Sequence, residues 1–129
     1  MASKIILIDT SILIDFFRKT DKSNSILVDL VKKGYIFKIS AITQYEIYSG
    51  ANKNQLQFWN ELLDKIDVLA FDKNVVKVAV ETNNLLKQKR KQIDLADLFI
   101  AATAINSKLP IATLNKKHFE RIEQLKIIV

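Results

Sequence analysis

The sequence predicts an α/β fold, a three-layer α/β/α sandwich around a central parallel sheet of four to five strands. Short β-branched apolar runs alternate with longer segments whose apolar residues recur at helical spacing. The stretches joining successive runs are long enough for crossover connections, and the first run is apolar throughout, as expected of a strand covered on both faces. Gly34, Gly50 and Pro110 are the only strong punctuation, and no linker or repeat interrupts the 129 residues, so a single domain over 1–129 is expected.

Lys4-Ile5-Ile6-Leu7-Ile8 reads as the first strand, and Asp9-Thr10-Ser11 as the start of a helix reaching Arg18, with Ile12, Leu13, Phe16 and Phe17 at helical spacing. A helix over Ser23 to Lys33 carries Ile26, Leu27, Leu30 and Val31 on one face, and Gly34 is its expected C-cap. Ile36 to Ser40 is the second strand. Helical patterns follow over Thr43 to Ser49 and Asn54 to Lys65, the latter turning Leu56, Trp59, Leu62 and Leu63 inward. Asp67 to Phe71 is the third strand. A long helix from Lys73 to Lys89 carries Val76, Val80, Leu85 and Leu86, and Asp94 opens another that ends at Ser107. Ile111 to Thr113 is the fourth strand, and Ile127 to Val129 offers a fifth.

Composition narrows the chemistry. With no cysteine and a single histidine, His118, thiol nucleophiles, zinc-thiolate sites and histidine-rich metal sites are excluded, so any metal must take oxygen ligands. The excess of 20 basic over 14 acidic residues, a net charge of +6, favours an anionic partner, nucleic acid first, although a lysine-rich surface serving solubility gives the same charge. No apolar stretch is long enough to span a bilayer, and Met1-Ala2-Ser3-Lys4 shows no signal-peptide pattern. A cytoplasmic protein with no membrane association is expected.

In open parallel sheets function collects at the carboxyl ends of the strands, and three acids fall there. Asp9 follows the first strand, with Thr10 and Ser11 beside it as hydrogen-bond donors; alone it also reads as a helix cap. Glu46 lies one turn into the helix after the second strand, where an ordinary solvated glutamate is the plainer reading. Asp97 shares its helix face with Ile93, Ile100, Ala101 and Ala104, which aims a carboxylate at the core, so it must be capped, paired or bound to a cation. A capping box with Asp94 at the N-cap is its structural alternative, and Asp94 itself reads as that cap. Thr113 and Asn115 reach the same edge after the fourth strand, whereas His118 reads as a surface or capping residue with no evident partner. Converging carboxylates repel one another unless a cation sits among them, and oxygen ligands suit Mg²⁺ or Mn²⁺. Such an ion activates water for in-line attack on a phosphodiester, which agrees with the basic charge.

The run Ile6-Leu7-Ile8-Asp9-Thr10-Ser11-Ile12-Leu13-Ile14-Asp15, the Thr43-x-x-Glu46 turn, the segment Asp97-Leu98-Phe99-Ile100-Ala101-Ala102-Thr103-Ala104, and Ile111-Ala112-Thr113-Leu114-Asn115 before Phe119 together resemble a PIN domain of the VapC toxin type. The resemblance runs in order from Lys4 to the C-terminus. It implies a PIN-like parallel sheet with flanking helices, Mg²⁺- or Mn²⁺-dependent endoribonuclease activity, homodimerisation and inhibition by a cognate antitoxin. Carried over by position, it makes Asp9, Glu46 and Asp97 the metal-binding acids; Thr10, Ser11, Asp94, Thr113 and Asn115 are expected around them. Such proteins often have a further acid after the last-motif threonine; here that position is Asn115, whose amide offers an oxygen but no charge.

Lys89, Arg90 and Lys91 before the Asp97 helix, and Lys116 and Lys117 after the fourth strand, are candidates to hold RNA phosphates, each also readable as a solvated helix-end cation. Tyr45 and Tyr48 are candidates to stack on bases, while Trp59 reads as core. The leading expectation is a toxin-type endoribonuclease. A housekeeping PIN nuclease without an antitoxin, or a non-catalytic binding module in which the acids remain only as caps, are the alternatives.

Overall fold

A computed structural model describes residues 4–128. Strands β1 (Ile5–Ile8), β2 (Ile36–Ser40), β3 (Asp67–Leu69) and β4 (Ile111–Ala112) form one sheet in the spatial order β3-β2-β1-β4, and every pairing is parallel. Helix α1 (Thr10–Arg18), a 3-10 turn (Lys22–Asn24) and α2 (Ile26–Lys32) lie between β1 and β2. Helices α3 (Ala41–Gly50) and α4 (Leu56–Leu63) lead to β3, α5 (Lys73–Gln88) and α6 (Leu95–Asn106) lead to β4, and the short α7 (Lys116–Phe119) follows.

Strand β1 explains the layering. Its side chains alternate between the sheet's two faces. Ile6 and Ile8 pack with Ile12, Leu13, Leu27, Leu30, Ile47 and Trp59 from α1 to α4. Leu7 points the other way, into a second core with Leu86, Leu98, Ala101 and Phe119 from α5, α6 and α7. Both faces of the sheet are therefore covered, which gives the three-layer sandwich.

Side-chain caps decide where the helices begin, each contributing roughly 1 kcal/mol. Asp9 Oδ1 accepts from Ser11 N at 3.0 Å to start α1, Ser40 Oγ accepts from Thr43 N at 3.0 Å to start α3, and Asp72 Oδ1 accepts from Asn74 N at 3.0 Å to start α5. Gly34 takes φ 88° just past α2, the left-handed conformation that ends a helix most cheaply in glycine.

Several expected boundaries shift. The helix expected over 23–33 is broken at Ser25, whose hydroxyl accepts from Val28 N at 3.3 Å and starts α2 afresh, while Asp21 caps the preceding 3-10 turn. In α5 the buried residues are Val75, Ala79, Thr82 and Leu86, whereas Val76, Val80 and Leu85 are exposed. The helix is thus rotated so that Val75, Ala79 and Thr82, rather than Val76 and Val80, face inward. The expected fifth strand is a single parallel bridge between Ile127 and Ile111, with Ile128 N donating to Ile111 O at 2.8 Å; Val129 lies outside the described residues, as does the Met1–Ser3 segment of the signal-peptide reading. Among the described residues no helix is long and apolar enough to cross a membrane.

Consecutive strands β1, β2 and β3 step to one side of the sheet, and β4 pairs on the other side of β1. The order reverses between β1 and β4, and parallel sheets bind ligands at the carboxyl end of such a reversal. Ile8 pairs with Ala112 there, so the next residues along, Asp9 and Thr113, stand at that end together.

Candidate active site

A cleft of about 700 Å³ opens at the carboxyl ends of β1 and β4, lined by Asp9, Glu46 and Asp97 together with Thr10, Ser11 and Asn115. Three acids separated by dozens of residues thus share one cavity. Arg18 and Lys19 line it too.

Asp9 is 2% exposed and held from two sides. Its Oδ1 accepts from Ser11 Oγ at 2.5 Å and Ser11 N at 3.0 Å, and its Oδ2 accepts from Thr113 Oγ1 at 2.5 Å. Each of these hydroxyls also accepts a backbone N–H from the loop after β4: Leu114 N donates to Ser11 Oγ at 3.0 Å, and Asn115 N to Thr113 Oγ1 at 2.9 Å. The carboxylate is the centre of a network that fastens the start of α1 to that loop. Burial pushes the Asp9 carboxyl above its ordinary range; hydrogen bonds from Ser11, Thr113 and Ile12 pull it back, and the charge of Asp97 adds to the upward push.

Glu46 is positioned by Thr10, whose Oγ1 donates to Oε1 at 2.5 Å. Thr10 Oγ1 also stands 3.1 Å from Thr43 Oγ1, and because its single proton goes to Glu46, the Thr43 hydroxyl is the donor of that second bond. Thr43 lies one turn before Glu46 on α3, so the spacing places both on the face toward α1.

Asp97 sits at the margin of the core rather than inside it, with its side chain 17% exposed, and the capping-box alternative fails. Asp94 makes no side-chain cap bond to α6. Instead Asp97 Oδ2 is 2.8 Å from His118 Nδ1, and a carboxylate only accepts, so the ring proton lies on Nδ1. The expectation of a partnerless surface His118 is therefore corrected: α7 carries it back to Asp97.

Among the described residues, the one set of three side chains whose ligand atoms all lie within 4.8 Å of one another is Asp94, Asp97 and His118. Asp9, Glu46 and Asp97 stand wider apart than that, around the cleft rather than at a single point. An oxygen-dominated donor set with a buried, destabilised carboxylate at its centre fits a hard divalent cation. Asp9 keeps a free lone pair on Oδ2 for such an ion, since Thr113 occupies only one.

The other sequence-predicted residues separate. Thr113 is buried behind Asp9, and Asp94 is exposed beside Asp97 and His118. Lys89 is paired with Glu123 at 2.6 Å, both side chains exposed. Arg90, Lys91 and Lys117 gather around a separate concavity, and Lys116 lines a shallow surface with Thr113, Leu114 and His118. Trp59 is core, Tyr48 is half-buried against it, and Tyr45 is 71% exposed. Sequence reading missed Ile14, Asp15 and Arg18 in the cleft wall; the signal was there, since Ser11, Ile14, Asp15 and Arg18 follow i, i+3, i+4, i+7 spacing on α1.

Comparison with known proteins agrees with this fold. Residues 6–125 match the PIN domain family model. The chain is 36% identical over 120 residues to Ribonuclease VapC1 of Methanocaldococcus jannaschii, covering 92% of this chain and 82% of the relative. Among solved structures, VapBC2 from Rickettsia felis bound to a DNA fragment from its promoter superposes with a TM-score of 0.80 at 27% identity, covering 96% of this chain and 97% of that one. A toxin-antitoxin complex from Klebsiella pneumoniae superposes with a TM-score of 0.73 at 27% identity, covering 96% of each. The chain belongs to the PIN domain family and, within it, to the VapC type.

Proposed function

We propose that the chain is an endoribonuclease that hydrolyses RNA phosphodiester bonds with Mg²⁺ or Mn²⁺ and acts as the toxin of a type II toxin–antitoxin pair. The observation that carries this reading is the meeting of Asp9, Glu46 and Asp97 in one cleft that also holds Arg18. The ribonuclease name of the archaeal relative and the antitoxin-bound state of the Klebsiella neighbour support it.

Asp9, Glu46 and Asp97 are the residues that would hold the ion, in part through its bound waters, since their oxygens do not all lie within 4.8 Å of one another. When bound, the ion supplies an activated water and a counter-charge for the phosphate under attack. The protein's part is to keep the three acids oriented: Ser11 and Thr113 fix Asp9, Thr10 fixes Glu46, and His118 fixes Asp97. Arg18 makes no ion pair among the described residues although acids share its cleft, and its guanidinium is available to a substrate phosphate. Asn115 contributes an uncharged edge to the same wall.

The cognate antitoxin is the expected protein partner. We place the protein in the cytoplasm as a homodimer, with the exposed apolar Val76, Val80 and Leu95 of α5 and α6 as the surface offered to a second copy.

Incubation of the purified chain with total cellular RNA and Mg²⁺ tests the activity. Discrete cleavage products are expected, absent with EDTA and with Asp97→Asn; equal cleavage by wild type and Asp97→Asn overturns the reading. Growth arrest on expression, relieved by a co-expressed small partner, tests the toxin role, and unimpaired growth points instead to an RNA-processing enzyme.

A further inference from the structure

Helix α7 links the acid cleft to a second concavity. Asn115, its N-cap, lines the cleft, and Lys117, within the helix, lines a separate hollow of about 500 Å³ with Arg90, Lys91, Glu120 and Arg121. Four cations from two stretches of chain thus surround one hollow, with a single acid among its lining residues.

Two observations set this cluster apart from ordinary surface lysines. Among the described residues, none of the four cations makes an ion pair, although Lys89, next in the chain to Arg90, is paired with Glu123. Arg121, one turn beyond Lys117, is fixed in place, its Nη1 donating to Gln92 O at 2.9 Å, which ties the stretch after α7 to the loop before α6 and leaves other guanidinium donors free. Arg90 holds φ 56° at the end of α5, as Lys108 does at φ 55° after α6, so this turn fixes where the Arg90 side chain leaves the backbone without itself marking a site. Four like charges held with a single acid among them raise the local potential, and a polyanion relieves it.

We infer that this hollow is a phosphate-binding exosite that grips the flank of a single-stranded RNA whose scissile bond lies over the acid cleft. The inference rests on the ribonuclease reading and adds to it Arg121, a strand path along α7, and a role in affinity rather than chemistry.

Binding of a short fluorescein-labelled single-stranded RNA in EDTA, followed by anisotropy over a salt series, tests it. Each lost phosphate contact lowers the slope of log K against log salt by about 0.7, so Arg90→Gln/Lys91→Gln/Lys117→Gln is expected to lower it by about 2. A control variant with the exposed lysines flanking α4 removed, Lys53→Gln/Lys65→Gln, is expected to keep nearly the wild-type slope. Equal slopes for exosite and control variants overturn the exosite, as does a wild type that binds no RNA. With Mg²⁺, the exosite variant is expected to raise KM while leaving kcat near wild type. A wild type that cleaves RNA with equal slopes defeats the exosite alone; a wild type that never cleaves, yet shows the slope difference, defeats the nuclease reading and leaves the exosite standing.

Discussion

Thr113 and Asp9, 104 positions apart in the chain, are joined by a 2.5 Å hydrogen bond from Thr113 Oγ1 to Asp9 Oδ2. The parallel pairing of Ile8 with Ala112 brings them there, and the bond ties the carboxylate to the loop that carries Asn115. Thr113→Val deletes the donor to a buried carboxylate and the acceptor for Asn115 N at once. It is expected to cost about 1–3 kcal/mol in thermal or urea unfolding and to lower RNA cleavage by about 10- to 100-fold, with Thr113→Ser restoring most of both. Unchanged stability and activity in Thr113→Val contradict the role assigned to this bond.

The raised pKa of Asp9, caused chiefly by burial, has a signed consequence for stability. The folded chain binds that proton more tightly than the unfolded chain. Between the ordinary carboxylate pKa and the raised folded value, stability therefore falls as pH rises; below the ordinary value both states are protonated and the contribution vanishes. Asp9→Asn keeps a helix-capping oxygen and removes the charge. In EDTA it is expected to flatten this part of the profile and to match or exceed wild-type stability near neutral pH. Melting temperatures from about pH 4 to 8 check this, and a wild type that gains stability over Asp9→Asn as pH rises refutes it.

His118 is expected to act through Asp97, its 2.8 Å partner. His118→Ala leaves the carboxylate free to rotate, and Mn²⁺ affinity and cleavage are expected to fall together by about 10- to 100-fold. His118→Asn, whose amide nitrogen can stand where Nδ1 stood, is expected to recover part of the loss. Metal affinity equal in all three proteins removes His118 from the site.

Arg18 lines the acid cleft without an acid partner among the described residues. Removing it as Arg18→Gln is expected to raise KM about tenfold with kcat little changed, the signature of lost uniform binding. A lower kcat at constant KM assigns it instead to the transition state.

Much of this site is legible in the sequence because local rules place it. An apolar strand ending in Asp9-Thr10-Ser11 must present its acid at the sheet's carboxyl end, and Glu46 one turn into α3 must follow it there. Asp97 is detectable because a charge on an apolar helix face demands a partner. The partner itself is not legible: His118 reaches Asp97 only because the chain after β4 folds back as α7, a tertiary event with no local pattern. The pairing of Lys89 with Glu123 is illegible for the same reason, since it spans 34 positions. The phase of α5 is misjudged because valine, as Val75, Val76, Val78 and Val80, is spread around the helix, and packing on α6 selects the face of Val75, Ala79 and Thr82 rather than that of Val76 and Val80. The break at Ser25 is hidden because the apolar pattern of Ile26, Leu27, Leu30 and Val31 lies wholly beyond it, so no change of phase marks it.

Titration of the metal-free chain with Mn²⁺ by calorimetry tests most directly whether the three acids hold one cation. Saturable binding by wild type is expected, weakened tenfold or more in each of Asp9→Asn, Glu46→Gln and Asp97→Asn. Equal binding by wild type and all three variants, or no binding by any, contradicts the account.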